Sequence, residues 1–365
     1  MKLVLTYYGR ERKGLWSGTL DVFDKLFPKQ KNVSDVKWVR IFPCISIVYQ
    51  KFLVLYSKLF YTSPGICREK QMYSLTVKTA IRNIKKIKCD WVLMVAEHCL
   101  TDKFPRDRKY ACYIDTDFPE TAKLDYASNK PGFNYYVLYY DKYTAMSYGR
   151  MDVIFTQNEW TRQSIIKRFN LSPGKVISVR FGVNVEPYMG NKDYSKNLLL
   201  IVLRQYNAKT KGLDILVRAL PMIRNKYPDV KLAVVGNDEY RKSEGVETYV
   251  GYPRSKTKEL FREATLYVMP SRNEPNGITY LEALCNKTPF VALNRFAAPE
   301  FSNNGEWSFL CNGDSPEDLA GTVIDALSDK ARLKAMGEKG QKFVLDNYSW
   351  DKTVAEMCKV MEDRL

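Results

Sequence analysis

The sequence predicts an α/β protein built from two doubly wound, Rossmann-like units facing a cleft. Three observations carry that expectation. Short apolar runs alternate with amphipathic stretches along the chain, the pattern of parallel strands joined by helices. The length, 365 residues, suits two domains better than one. Residues 180–197, rich in Gly, Pro, Asn and alternating charge, precede a fresh apolar run, NLLLIV. The expected domains are residues 1–182 and 198–365 with 183–197 as linker, the last helix being able to pack back on the first domain.

Strands are expected where short runs of three to five mostly apolar residues stand between turn or helix signals. In the first half these runs are 3–6, 91–95, 111–114 and 153–156. In the second they are 198–202, 231–235, 248–250, 266–269 and 290–292. Helices are expected over 159–169, 212–226, 255–264, 278–285 and 316–327, where apolar residues recur at helical spacing. No repeat of 20–50 residues stands out.

Composition narrows the chemistry. With 45% hydrophobic and 27% charged residues the chain reads as globular, and its single His cannot supply a His-rich metal site. The eight Cys include no C-x-x-C pair, which speaks against zinc ribbons and redox motifs and for buried structural thiols. The start, MKLVLTYYGRER, has too short an apolar run for a signal peptide, and no stretch of about 18 apolar residues occurs. Together these point to the reducing cytosol.

Charge is unevenly placed. Residues 1–185 hold 31 Lys and Arg against 16 Asp and Glu, whereas the remainder holds 26 against 25, within a total of +16. The first half is therefore expected to meet an anionic membrane surface or a polyanion. Two segments sharpen this expectation. Residues 41–61 are apolar and aromatic but interrupted by Lys51 and Lys58, as suits an interfacial segment. Residues 75–88 read as a basic amphipathic helix, with Val77, Ile81, Ile84 and Ile87 on one face and Lys78, Arg82, Lys85 and Lys86 on much of the rest. Either could instead face the core.

The densest chemistry lies in SRNEPNGITYLEAL, residues 271–284. Glu274 follows a strand and a Pro-Ser turn, which puts it in the loop at the strand's carboxyl end. Asn276 and Gly277 can start a helix whose first N–H groups, those of Gly277, Ile278 and Thr279, would receive an anion. Glu282 falls about one turn inside. Such carboxylates could hold sugar hydroxyls while the amides hold a phosphate; plain helix capping with a solvated Glu is the alternative.

Glu274-x7-Glu282 with Pro-Asn-Gly between them resembles the E-x7-E motif of retaining GT-B glycosyltransferases, particularly glycosyltransferase family 4. LIVLRQYNAKTKGLDILVRAL, YPDVKLAVVGNDE and YVGYPRSKTKELFREATLYVMPSRNEPNGITYLEAL are similar to successive segments of that family. The likeness is good over about 150–365 and faint over 1–150. It implies that Glu274 binds donor-sugar hydroxyls, Glu282 the nucleotide ribose, and Arg204 and Lys211 the diphosphate. The Arg-to-Lys gap is two residues longer than the usual pattern, so Lys209 competes with Lys211; Leu203 replaces the Gly that normally precedes the Arg. Tyr252 is a candidate to cover the base. Gly14 stands where the family often has a Gly-rich loop. Where many members carry a His, Asp115 stands here, or Thr116 with a shift of one residue; His98, the sole His, ends the preceding strand.

The resemblance implies a retaining transfer of a hexose from a UDP- or GDP-sugar to an anionic, lipid-linked or glycan acceptor, with no obligate cofactor or metal; the charge of the basic half adds the expectation of peripheral membrane contact. Asp115-Thr116-Asp117 has the letters of a metal-holding D-x-D but lies in the half opposite the donor motifs. The competing readings are a nucleic-acid-directed glycosyltransferase and a catalytically decayed sugar-nucleotide-binding protein.

Overall fold

The computed structural model describes residues 1–9, 12–13, 15–41, 64–95, 100–117, 133–203 and 207–365. They divide into two compact units, Met1–Gly182 with Trp350–Leu365, and Val183–Ser349. All strand pairs among the described residues are parallel, which requires a crossover between successive strands and leaves both sheet faces to be covered.

The first unit contains β1 (Lys2–Tyr7), α1 (Thr19–Leu26), β2 (Asp35–Arg40), α2 (Pro64–Ile84), β3 (Trp91–Val95), β4 (Lys109–Ile114), α3 (Phe133–Arg150), β5 (Val153–Thr156), α4 (Glu159–Phe169) and β6 (Val176–Ser178). Its sheet order is β2-β1-β3-β4-β5-β6, so the winding reverses between β1 and β3. The central strands β3 and β5 are buried along their whole length.

The amphipathic segment expected over 75–88 forms the end of α2, and its apolar face turns inward. Val77, Ala80 and Ile84 are buried in a core shared with Val4, Val39, Val92 and Met94, with Ile81 and Ile87 packed against it. What remains outside is charge: Lys78, Arg82, Lys85, Lys86 and Lys88 are exposed. The helix ends at Ile84, short of the expected boundary. Of the segment 41–61, Ile41 is buried in the same core and the rest lies outside the described residues.

The second unit contains β7 (Leu198–Val202), α5 (Leu213–Lys226), β8 (Lys231–Val235), β9 (Val246–Tyr249), α6 (Arg254–Glu263), β10 (Leu266–Val268), α7 (Ile278–Cys285), β11 (Phe290–Leu293), α8 (Ala298–Ser302), β12 (Phe309–Cys311), α9 (Pro316–Ser328) and α10 (Lys330–Asn347). Its order is β12-β11-β10-β7-β8-β9, a doubly wound sheet whose winding reverses between β7 and β10.

Residues 183–197 are counted with this unit rather than standing apart from it. The Tyr194 hydroxyl donates to the Lys287 carbonyl at 2.6 Å, and Lys192 Nζ donates to the carbonyls of Phe261 and Arg262 and to Thr288 Oγ1. The last helix, α11 (Trp350–Glu362), belongs to the first unit. Trp350 meets Phe23 edge-on at 5.7 Å, and the buried Trp91 indole N–H donates to the Met361 carbonyl at 3.0 Å. A Cβ on Gly182 would overlap the Trp350 ring, so the chain leaves the first sheet at a position that admits no side chain.

Candidate donor site

In a doubly wound sheet the loops at the carboxyl ends of the strands flanking the reversal diverge and leave a crevice between them. In the second unit these are the loops after β7 and β10, and both are built from residues singled out in the sequence. Backbone contacts draw them together. The Arg272 N–H donates to the Thr210 carbonyl at 2.9 Å, and Ser271 Oγ to the same oxygen at 3.2 Å. Gly212 adopts a left-handed φ of 77° as the N-cap of α5, with its Cα against the carbonyl of Pro270.

That closeness joins Lys211 to Glu274. Lys211 Nζ is ion-paired with Glu274 Oε2, and the two side chains are 18% and 16% exposed. Glu274 Oε1 accepts the Gly277 N–H at 2.9 Å. Gly277 caps α7 with a left-handed φ of 54°, and a Cβ there would overlap the Tyr280 ring. The Gly277 N–H, expected to receive a ligand anion, is thus already bound to Glu274. Lys209 is exposed and contributes its carbonyl to the Arg272 guanidinium at 2.6 Å; Lys211 carries the ammonium beside Glu274.

The other expected donor residues sit around this pair. Asn276 is buried, and Ile278 opens α7. Thr279 turns its hydroxyl to the core, where it accepts the Tyr267 O–H at 2.8 Å, leaving its backbone as the part that could meet an anion. Glu282 is half-buried on α7; burial pushes its carboxyl up to about 7, against the pull of the Arg254 charge. Tyr252 is exposed just before α6 and meets Tyr249 edge-on at 5.4 Å. Arg204, Gly14 and His98 lie outside the described residues.

In the first unit, Asp115 and Thr116 directly follow β4, both half-buried, and the Asp115 carbonyl accepts the Thr161 hydroxyl at 3.2 Å. Asp117 points inward. Its side chain is fully buried and its Oδ2 accepts from Ser164 Oγ at 2.6 Å and from Arg168 Nε at 3.0 Å. The second carboxylate of the D-x-D letters is therefore committed to the half-buried Arg168. Among the described residues no three His, Cys, Asp or Glu side chains cluster as metal ligands, and Cys89, Cys112, Cys285, Cys311 and Cys358 are free thiols, all but Cys89 buried.

Two contributors were not picked out from the sequence. Arg272 forks onto Asp214, Nη1 to Oδ1 at 2.7 Å and Nη2 to Oδ2 at 2.9 Å. The signal was their placement beside the quoted motifs, Asp214 after Lys-Gly-Leu and Arg272 two residues before Glu274. Nothing local pairs residues 58 apart.

Residues 190–343 match the sequence family described as glycosyl transferases group 1. Over 172 residues the chain is 32% identical to the GDP-mannose-dependent alpha-(1-6)-phosphatidylinositol monomannoside mannosyltransferase of Mycolicibacterium smegmatis, covering 42% of this chain and 45% of that one. It is 25% identical over 242 residues to a D-inositol 3-phosphate glycosyltransferase of Corynebacterium glutamicum, covering 59% and 58%. The chain spans about half the length of the curated relatives it matches. The sucrose-phosphate synthase of Thermosynechococcus elongatus superposes with a TM-score of 0.68 at 14% identity, covering 100% of this chain and 98% of that one. The fold is accordingly of the GT-B class, and residues 190–343 carry the likeness to the glycosyl transferases group 1 family.

Proposed function

We infer that this protein is a retaining glycosyltransferase that moves a hexose from a UDP- or GDP-sugar to an anionic, lipid-linked or glycan acceptor. The observation that carries this reading is the Lys211–Glu274 pair at the start of α7, in the loops that flank the strand-order reversal. An ammonium carries three N–H donors and a carboxylate about four acceptor positions. With one donor on Glu274, Lys211 keeps two for phosphate oxygens. Glu274, bound by Lys211 and Gly277, keeps acceptor positions for sugar hydroxyls.

As the bond from the anomeric carbon to the phosphate oxygen breaks, negative charge gathers on the nucleoside diphosphate. Lys211 and the α7 N-terminus stabilise that charge, with Arg204 as a further cation. A fixed group of this kind is worth roughly 2–4 kcal/mol in the transition state. Retention follows if the acceptor oxygen attacks from the face the phosphate leaves, its proton passing to the departing phosphate oxygen. Asp115 in the first unit would orient the acceptor hydroxyl, and Glu282 the ribose.

Two relatives are named for phosphate-bearing inositol acceptors, which fits an anionic acceptor and the basic first half. Membrane contact in this reading is electrostatic and peripheral; among the described residues no helix is long and apolar enough to cross a bilayer.

The test is a panel of UDP-, GDP- and ADP-sugars assayed for donor hydrolysis and transfer, with the product anomer read by NMR. Turnover of one nucleotide class with the donor's anomeric configuration kept supports the reading. Nucleotide binding without turnover of any donor points to the decayed binding protein, and retention of DNA but not anionic vesicles points to a nucleic-acid acceptor.

A further inference from the structure

Lys211 and Glu274 stand on different loops, and the ion pair between them is the contact that a bound donor would loosen. A diphosphate competes for Lys211, and sugar hydroxyls compete for Glu274. If that pair alone held the loops together, the ligand would pull its own site apart. A second connection therefore has to hold the loops when the first is engaged elsewhere.

Contacts at Thr210 and Gly212 supply part of it through the backbone, and a second ion pair supplies it through side chains. Asp214 lies in the first turn of α5, three residues after Lys211, and Arg272 lies two residues before Glu274. The two ion pairs are successive rungs between the same two loops. In the Arg272–Asp214 rung both guanidinium Nη atoms engage both carboxylate oxygens, at 2.7 and 2.9 Å. Nη1 also reaches the Lys209 carbonyl at 2.6 Å, and the Arg272 N–H holds the Thr210 carbonyl at 2.9 Å. Arg272 thus grips the chain on both sides of Lys211, at residues 209, 210 and 214. The side chains are only 28% and 22% exposed, so solvent screens the pair less than it would at the surface. Burial by itself would raise the Asp214 carboxyl, but the Arg272 hydrogen bonds and charge hold it below its ordinary value. A fork with two parallel bonds fixes direction as well as distance, which a lysine's point charge cannot do.

We propose that Arg272 and Asp214 are positioning residues, a clasp that keeps Lys211 and Glu274 in register while both engage a nucleoside diphosphate sugar. The proposal rests on the donor-site reading above, and it assigns neither residue to contact with the donor.

The test uses the full-length protein and a double-mutant cycle. Arg272→Lys keeps the charge and removes the fork; Asp214→Asn keeps the shape and removes the charge. Each is expected to lower kcat/KM for the donor identified in the panel about 10- to 100-fold, because a misplacement of about 1 Å is enough for such a loss. Each should also weaken binding of free UDP or GDP. In a Lys211→Ala background the same substitutions should change nucleotide affinity by less than about threefold, since a clasp that works through Lys211 has nothing left to position. Equal losses in both backgrounds, or wild-type kcat/KM in Arg272→Lys, would overturn the clasp. Lys211→Ala with normal nucleotide affinity and turnover would instead overturn the donor-site reading. Thermal unfolding accompanies each variant; if Arg272→Lys does not fold, Asp214→Asn carries the cycle.

Discussion

Gly212 lies so close to Pro270 that a Cβ on the glycine would overlap the proline's carbonyl oxygen. The contact joins the loop after β7 to the end of the β10 segment, and it sits next to Lys211 in the chain. Gly212 also holds a left-handed φ of 77°. Gly212→Ala should cost about 1–2 kcal/mol from the backbone conformation alone, before the overlap is relieved. A lower Tm together with weaker UDP or GDP binding is expected, measured by calorimetry. Unchanged values for both would show that the two loops do not need this contact.

Glu274→Ala should reduce transfer by about 10²- to 10³-fold if the side chain holds the sugar in the transition state. It should also lower stability by about 1–2 kcal/mol, because the Gly277 N–H loses its carboxylate acceptor. Glu274→Gln can keep an acceptor for that N–H and is expected to restore Tm without restoring turnover. Full activity in a folded Glu274→Ala protein would remove Glu274 from the reaction.

The Glu282 carboxyl is raised by burial from 4.5 to about 7. Between those values the folded protein binds more protons than the unfolded chain, so this group's contribution to stability falls as pH rises through that window. Glu282→Gln should therefore gain Tm relative to wild type at pH 8 and lose that advantage near pH 4.5. The same gain at both pH values would show that ionisation of Glu282 is not what costs stability. Glu282→Ala should also weaken binding of free UDP or GDP, and unchanged affinity would count against a ribose contact.

Turnover should survive EDTA. The motivation is positional: Asp117 is committed to Arg168 and Ser164, so Asp115-Thr116-Asp117 does not present two outward carboxylates to a diphosphate-bound metal. Loss of activity in EDTA, recovered with manganese, would contradict this.

Lys85, Lys86 and Lys88 are exposed beyond the end of α2. Converting all three to Glu should release the protein from anionic vesicles at physiological salt and leave hydrolysis of the free donor unchanged. Each Lys near such a surface contributes about 1 kcal/mol. Co-sedimentation of the triple variant at undiminished level would move the contact elsewhere on the first unit.

Strands in the middle of each sheet were legible because both of their faces are covered and their sequences are almost wholly apolar: WVLMV, ACYI, VIFT and LLLIV. The strands that escaped were edges. DVKWVR, VIS and FLC form β2, β6 and β12, each at the rim of its sheet. An edge strand borders solvent on one side, so it can be short or carry alternating charge. β9, the remaining edge, was expected two residues too late for the same reason. The last two long helices, α10 and α11, were not delimited from the sequence, and α11 belongs to the unit that the chain had left far upstream.

Sequence alone determined the alternation that makes both sheets parallel, the placement of Glu274 in a strand-end loop and the helix start at Gly277, because each depends on residues within a turn or two of one another. It also determined the uneven charge, which is a property of composition. Only the tertiary structure decided that Lys211, rather than Lys209, meets Glu274, that Gly277 is bound by that carboxylate, and that Arg272 clasps Asp214. It decided too that the apolar face of residues 75–88 belongs to a core. These outcomes depend on which strands lie side by side, and strand order is set by burial across the whole sheet rather than by any local run of residues.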